Sequence, residues 1–274
     1  MEFFDEIITL IKYIFLGVFQ GFTEPIPISS SGHVILLREI FNVEIPGLSF
    51  EIFLHFGSLI AIIVVYWKDL KKIAINSWTY ITKRSEESKG DFHLLCMLVI
   101  ATIPAGVAGL LLEDYISDLL NYTFMVGISL IITGIFLWII RHKRGEKGDY
   151  DLSVRIALII GLAQAVAIIP GISRSGATLI AAMLLGLKRD VALRFSFLLY
   201  IPVSLGATVL SVNDLVTDPY IKSLFIPYLL AFIAATITTY FALRWFINVM
   251  MRGNLKYFAY YCFIVGILTT IYFL

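Results

Sequence analysis

The chain has 274 residues, of which 59% are hydrophobic and 15% charged, with a net charge of +1. A soluble domain carries roughly 25% charged residues, so this composition indicates an integral membrane protein. The nearly neutral charge argues against a nucleic-acid partner, because no strongly basic face is expected. The two cysteines, Cys96 and Cys262, lie in apolar runs and imply no disulfide framework.

The first elements in chain order are an apolar segment, a polar turn and a short helix. Residues 7–22 are apolar and run into the turn Pro27 to His33, and a short helical run over 34–41 follows. This order predicts a re-entrant hairpin, whose irregular backbone needs cover by protein or water at membrane depth. Three apolar segments follow, each close to the length of roughly 20 residues that a helix needs to cross a bilayer. They are 50–66, 92–112 and 122–140.

The second half of the chain repeats this order. Residues 154–169 run into a polar turn, Pro170 to Gly176, the run 179–187 follows, and three spans are predicted at 191–211, 224–246 and 256–273. The two turns align without a gap at an offset of 144 residues, which pairs Gly17 with Gly161, Gln20 with Gln164, Ser29 with Ser173, Ser31 with Ser175 and Gly32 with Gly176. We therefore predict an all-α integral membrane fold in a single domain, 1–274. Its internal repeat, 1–140 and 145–274, has inverted topology, with six transmembrane helices plus two re-entrant helix hairpins.

The basic residues favour one side of this topology. Three spans per half is an odd number, so the second half enters the membrane the other way up. The predicted loops 67–91 and 141–153, together with Lys188, Arg189 and Arg252, are basic. The opposite loops carry Glu113, Asp114, Asp118, Asp214, Asp218 and one lysine, Lys222. The positive-inside rule places the basic loops in the cytoplasm and both termini outside, so the polar turns should meet near the midplane.

Arg174 is the first candidate for chemistry, since a polar cluster at membrane depth is a functional site by default. It lies between two serines in a turn expected to open a helix at about Ala177–Leu179. A guanidinium binds phosphate through paired hydrogen bonds. The backbone N–H groups of Ser173 to Thr178 would point into the same space. A structural pair with Glu24 is the alternative, and the two interpretations can hold together.

The first turn supplies further candidates. His33 could act as general base, general acid or phosphoryl acceptor, or it could simply be hydrogen-bonded in the core. Ser30 occupies the repeat position of Arg174, so it should face Arg174 as a candidate nucleophile. Glu24 and Gln20 share one helix face, and the carboxylate could hold a divalent cation, orient His33 or only cap the helix.

Other polar residues of the turns have a packing alternative. Small residues let membrane helices approach closely, which alone could explain Ser29, Ser31, Ser175 and the glycines. His55, one turn beyond Glu51, is ambiguous between function and structure. Glu51 and Arg194 start the matching spans of the two halves and are expected to be a structural pair rather than catalysts.

Two segments carry a family resemblance. Gln20-Gly-Phe-Thr-Glu-Pro-Ile-Pro-Ile-Ser-Ser-Ser-Gly-His33 and Pro170-Gly-Ile-Ser-Arg-Ser-Gly-Ala-Thr178 resemble the two signature motifs of the undecaprenyl-diphosphate phosphatases of the bacitracin-resistance type. The resemblance covers the whole chain. It implies a multi-pass enzyme of the bacterial inner (plasma) membrane, open to the outer face, that removes the terminal phosphate of a polyprenyl diphosphate lipid for cell-wall synthesis. It also implies a divalent cation, Mg²⁺ or Ca²⁺.

The family's functional residues can be carried over to this chain. They fall on Gln20, Glu24, Ser30, His33, Ser173, Arg174 and Thr178. We expect catalysis from Glu24, Ser30, His33 and Arg174, with Glu24 also as metal ligand. The expected substrate-binding residues are Gln20, Ser29, Ser31, Ser173, Ser175, Gly176 and Thr178.

Two departures from the motif matter. The first acidic position is Gln20 here, so Glu24 is the only motif carboxylate, and Pro25 stands where an aromatic residue is commoner. A transporter or flippase for an isoprenyl phosphate or another anion is the alternative function, because inverted repeats with broken helices are typical of transporters. The sequence leaves open whether Ser30 or His33 attacks phosphorus, the lipid chain length, and whether the protein forms a homodimer.

Overall fold

The computed structural model describes residues 2–41, 49–119, 123–169 and 171–274, and within these ranges the chain is built of α-helices. In chain order they are α1 (Glu2–Thr23), α2 (Ser30–Phe41), α3 (Ser49–Val65), α4 (Trp67–Lys83), α5 (Lys89–Leu119), α6 (Thr123–Ile140), α7 (Val154–Val166), α8 (Arg174–Leu184), α9 (Arg189–Leu210), α10 (Val212–Thr217), α11 (Phe225–Met251) and α12 (Leu255–Phe273). Pro170 and the side chains of Glu113, Asp114, Asp118 and Asp214 lie outside the described part.

The expected multi-pass membrane protein is confirmed. Six stretches of the described chain are long and apolar enough to cross a bilayer. They are Glu6–Thr23, Glu86–Leu111, Thr123–Ile140, Arg189–Thr217, Phe225–Met251 and Leu255–Phe273. The set contains α1 and omits α3, which counts as a seventh span only if it is taken together with its bent continuation α4. Helix α1 has 22 residues, about 33 Å of helix, which is long enough to cross a bilayer, so the re-entrant hairpin expected for this segment stays a prediction.

The predicted loop 67–91 is also wrong in part. Helix α3 has only 17 residues and bends by 70° into α4, which occupies Trp67–Lys83. Helix α4 buries Ile73 and Ser77, one turn apart, and exposes Trp78 and its lysines. Its charged residues suggested a solvated loop, whereas their helical spacing makes α4 an amphipathic helix, of the kind that lies at a membrane surface.

Close contacts between small residues hold the long helices together. On α1, Gly17 and Gly21 face Ala231 and Ala235 of α11, and a methyl group added to Gly17 would lie 2.3 Å from the Ala231 carbonyl oxygen. Helix α7 packs on α5 in the same way, since a methyl group on Gly161 would lie 2.4 Å from the carbonyl oxygen of Ala101. Such small residues let membrane helices approach backbone to backbone.

We expect Gly17→Ala to destabilise the protein by about 1–3 kcal/mol, because the added methyl meets backbone and the helices must separate. Gly106→Ala on α5 is the matched control, since nothing lies within 4 Å of its added methyl. That change should be neutral or stabilising by up to about 1 kcal/mol. Thermal unfolding in detergent measures both, and equal melting temperatures for the two variants would contradict the close α1–α11 contact.

The basic segments gather at one end of the molecule. The Arg194 guanidinium pairs with Asp69 at 2.8 Å and with Asp149 at 3.1 Å, which joins α9 to α4 and to the segment after α6. Arg189 donates to the carbonyl oxygens of Arg141 and Lys143. Glu51 pairs instead with Arg38 at 2.9 Å. Glu51 and Arg194 are therefore in structural ion pairs, but the expectation that they pair with each other was wrong.

Candidate functional site

The two polar turns contact each other. A methyl group on Gly32 would lie 3.2 Å from Cα of Gly171, and one on Gly176 would lie 3.2 Å from Cβ of Pro27. The Ser175 hydroxyl donates to the Glu24 carbonyl oxygen at 3.2 Å. Residues that are distant in sequence therefore form one site, as the repeat predicted.

The same serine cap begins the helix after each turn. Helix α1 ends at Thr23 because Pro25 disfavours helical backbone at the residue before it. Ser29 then adopts a left-handed backbone, φ +68°, and its hydroxyl accepts from the Gly32 N–H at 3.2 Å. Ser173 caps α8 likewise, accepting from the Gly176 N–H at 3.1 Å. Because of these caps α2 and α8 begin at Ser30 and Arg174, earlier than the predicted 34 and 177–179.

Glu24 is the centre of the first half-site. Its carboxylate Oε2 accepts from the Gln20 amide and from the Ser30 hydroxyl, each at 2.5 Å. The His55 Nδ1 lies 3.4 Å from the same oxygen. Glu24 is only 7% exposed. A buried carboxylate needs such partners, because an unpaired one would be strongly destabilising.

His55 thus belongs to the site. Its Nδ1 also lies 3.3 Å from the Gln20 amide nitrogen. A small recess beside this cluster is lined by Gln20, Ser31, Val34, Glu51, Leu54 and His55. The sequence left His55 ambiguous, and the recess also contains Ser31, one of the expected substrate-binding residues.

His33 has other partners than expected. Its Nδ1–H donates to the Ser29 carbonyl oxygen at 2.8 Å, and the Tyr261 hydroxyl donates to its Nε2 at 2.7 Å, in the neutral tautomer that this network implies. The ring is 4% exposed. Both ring nitrogens are therefore occupied. The alternative in which Glu24 orients His33 was wrong, because the carboxylate contacts His55 instead.

Arg174 is held by α9. Its Nη1 donates to the Ser204 hydroxyl at 3.1 Å, and its guanidinium carbon lies 5.6 Å from the ring centroid of Tyr200. Arg174 also interacts electrostatically with Glu24. Sequence reasoning missed Tyr200 and Ser204. The sequence does carry one indication of them, because the two polar side chains lie four residues apart and so share one face of an apolar span.

The start of α8 offers fewer anion-binding groups than expected. The Gly176 N–H donates to the Ser173 hydroxyl, and the Ala177 N–H donates to the Ser173 carbonyl oxygen at 2.8 Å. The Thr178 hydroxyl donates to carbonyl oxygens of its own helix, those of Arg174 and Ser175, both at 3.2 Å. These groups stabilise the turn, so within it Arg174 is the main candidate for contact with an anion.

Comparisons with known proteins find relatives over nearly the whole chain. The family described as bacitracin resistance protein BacA matches residues 13–268. The chain is 56% identical over 274 residues to an undecaprenyl-diphosphatase of Oceanobacillus iheyensis, covering 99% of this chain and 100% of the relative. It is 56% identical over 268 residues to undecaprenyl-diphosphatase 2 of Bacillus thuringiensis, covering 98% and 99%. For undecaprenyl-diphosphatase 1 of Halalkalibacterium halodurans the identity is 50% over 268 residues, covering 98% of each chain.

Proposed function

Since this chain belongs to the bacitracin resistance protein BacA family, we propose that it hydrolyses undecaprenyl diphosphate to undecaprenyl phosphate and inorganic phosphate. It is then an isoprenyl-diphosphate phosphatase that recycles the lipid carrier of cell-wall synthesis. One observation of the site carries the proposal. The Ser30 hydroxyl donates to the buried Glu24 carboxylate, beside Arg174, where the two turns meet.

This geometry favours Ser30 over His33 as the nucleophile. The Ser30 proton passes to Glu24 while Oγ attacks the terminal phosphorus. The bond from phosphorus to the bridging oxygen breaks, and the lipid monophosphate leaves with the bonding electron pair. Water then hydrolyses the phosphoserine and releases phosphate. Arg174 neutralises the charge on the phosphoryl oxygens. Both nitrogens of His33 are engaged elsewhere, so its role is to hold the Ser29 turn.

The Ser30–Glu24 hydrogen bond also favours an enzyme over a transporter or flippase, because a carrier needs the arginine but no activated hydroxyl. Phosphate release by the purified protein in detergent tests this, since transport requires a sealed membrane. We expect stoichiometric phosphate and lipid monophosphate from undecaprenyl diphosphate. No release from folded protein in detergent, together with movement of the lipid phosphate across proteoliposomes, would support the carrier instead.

A divalent cation fits the site only with help from the substrate. Within the described residues, no group of three or more His, Cys, Asp or Glu side chains is placed to hold a metal ion. Glu24 would hold the cation with one carboxylate, and diphosphate oxygens and water would supply the other ligands. Mg²⁺ commonly binds in this way, whereas Ca²⁺ takes six to eight oxygens, so we propose Mg²⁺. The cation would supply further charge neutralisation at the phosphates.

We also propose that the two halves form the inverted repeat in a bacterial plasma membrane, with the basic end in the cytoplasm. The packing supports this, because Gly17 and Gly161 are repeat partners and each faces an alanine carbonyl on a long helix of the other half. The paired helices α1–α2 and α7–α8 would then be the hairpins, entering from outside and inside respectively, and the site would open to the outer face. The gathering of basic segments around Arg189 and Arg194 supports the orientation.

Cysteine labelling tests this orientation. Glu86→Cys in the basic end and Ser223→Cys between α10 and α11 are exposed positions, to be placed in a background with Cys96 and Cys262 replaced by alanine. We expect an impermeant maleimide to label position 223 in intact cells and position 86 only after the cells are opened. Labelling of both positions in intact cells would contradict the proposed topology.

A further inference from the structure

The hydroxyl of Tyr200 is a buried donor close to the site. The side chain is 3% exposed, and among the residues that the structure describes its hydroxyl meets no partner in hydrogen-bond geometry. An unsatisfied hydroxyl in a low-dielectric interior is destabilising, so native proteins rarely keep one without a reason. Tyr200 therefore needs an explanation that the packing of α9 does not give.

The surroundings of Tyr200 are those of an anion site. Its ring lies beside the Arg174 guanidinium, and Ser204, one turn further along α9, accepts a hydrogen bond from the same guanidinium. Ser204 and the Glu24 carboxylate both lie close enough to interact with the Tyr200 hydroxyl, but neither accepts from it in full hydrogen-bond geometry. The hydroxyl thus belongs to the same polar cluster as Arg174, which is proposed to bind phosphate, and Glu24, which is proposed to take the Ser30 proton.

We propose that Tyr200 donates a hydrogen bond to a phosphate oxygen of the bound isoprenyl diphosphate, next to Arg174. This inference rests on the proposed function. The carboxylate oxygen Oε2 of Glu24 already accepts from Gln20 and Ser30, whereas a diphosphate brings several strong acceptor oxygens into the cluster. Substrate binding then gives the hydroxyl an acceptor in full hydrogen-bond geometry, which the free protein does not provide. This adds affinity and fixes the phosphate relative to Arg174.

The test is Tyr200→Phe with Tyr228→Phe as the matched control. Each change deletes only a hydroxyl, and the Tyr228 hydroxyl is likewise buried without a hydrogen bond in the described part of the chain. Tyr228 packs in a separate apolar cluster with Tyr13 and Phe50. Neither variant should lower the melting temperature, because neither loses a hydrogen bond of the free protein. Tyr200→Phe should lower kcat/KM about 10- to 150-fold, as expected for one hydrogen bond to a charged group, and Tyr228→Phe should stay within about twofold of wild type.

Binding of a non-hydrolysable isoprenyl methylenediphosphonate, measured by calorimetry in detergent, separates the two proposals. We expect Tyr200→Phe to weaken binding by at least about tenfold relative to Tyr228→Phe and wild type. Equal affinity and equal turnover of the two variants would overturn the role of Tyr200 while leaving the phosphatase intact. Absence of hydrolysis in the wild type would overturn the proposed function, and the binding comparison would still decide whether Tyr200 contacts a diphosphate.

Discussion

Arg174→Lys is expected to lower kcat/KM on undecaprenyl diphosphate by at least about 100-fold, although it keeps the positive charge. The Arg174 side chain donates through Nη1 to Ser204 and lies beside the Tyr200 ring. A planar guanidinium can keep that contact and still offer parallel N–H groups to phosphate oxygens. A lysine ammonium has neither the planar fork nor the reach to do both. Steady-state phosphate release in detergent measures the loss.

Arg244→Lys is the matched control for this change. Arg244 also donates to a hydroxyl, that of Tyr240 at 3.0 Å, and lies 5.5 Å from the same ring, but on an exposed face of α11. We expect that variant to keep turnover within about twofold of wild type, since exposed contacts of this kind contribute little. If Arg174→Lys retained most of the wild-type turnover, the proposal that Arg174 binds phosphate through two parallel hydrogen bonds would be wrong.

Glu24→Gln is expected to abolish metal-stimulated turnover, with an overall loss of at least about 100-fold. The amide has nearly the same shape and can still accept from Ser30 and Gln20, so the turn should fold. It cannot take the Ser30 proton, and it offers a cation no charge. The measurement is phosphate release as a function of Mg²⁺ concentration after chelation. A normal metal dependence in this variant, or full wild-type activity in excess chelator, would remove Glu24 as the metal ligand.

Gln20→Glu gives the converse comparison. The Gln20 amide nitrogen lies 2.5 Å from the Glu24 carboxylate, so the new residue would set two carboxylates against each other in a buried site. Like charges at this distance cannot both ionise easily without a cation between them. We expect this variant to stay active with Mg²⁺, and its melting temperature to rise more on Mg²⁺ addition than that of wild type. An unchanged Mg²⁺ response would argue against a cation beside Glu24.

The class of protein and the two half-sites could be predicted from the sequence. Apolar segments of bilayer length are local features, and so are the Pro, Ser and Gly residues that interrupt them. The serine caps are local too, since Ser29 and Ser173 each bond three residues ahead, which is why both turns could be placed within a few residues. The predicted loop over 67–91 was wrong for α4. Its lysines and tryptophans are typical of a membrane-surface helix as well as of a loop, so composition alone did not distinguish the two.

The partners of the proposed catalytic side chains were decided only by the tertiary structure. The sequence placed His33 beside Glu24 because they are close along the chain, whereas the rotation of α2 turns His33 toward Tyr261 and the packing of α3 on α1 brings His55 to Glu24. Tyr200 likewise reaches Arg174 only through the packing of α8 on α9. Periodicity reports which face of a helix is apolar, but helix rotation and tilt depend on contacts along the whole bundle. A local motif can therefore predict where a site lies in the chain without predicting which residues surround it in the fold.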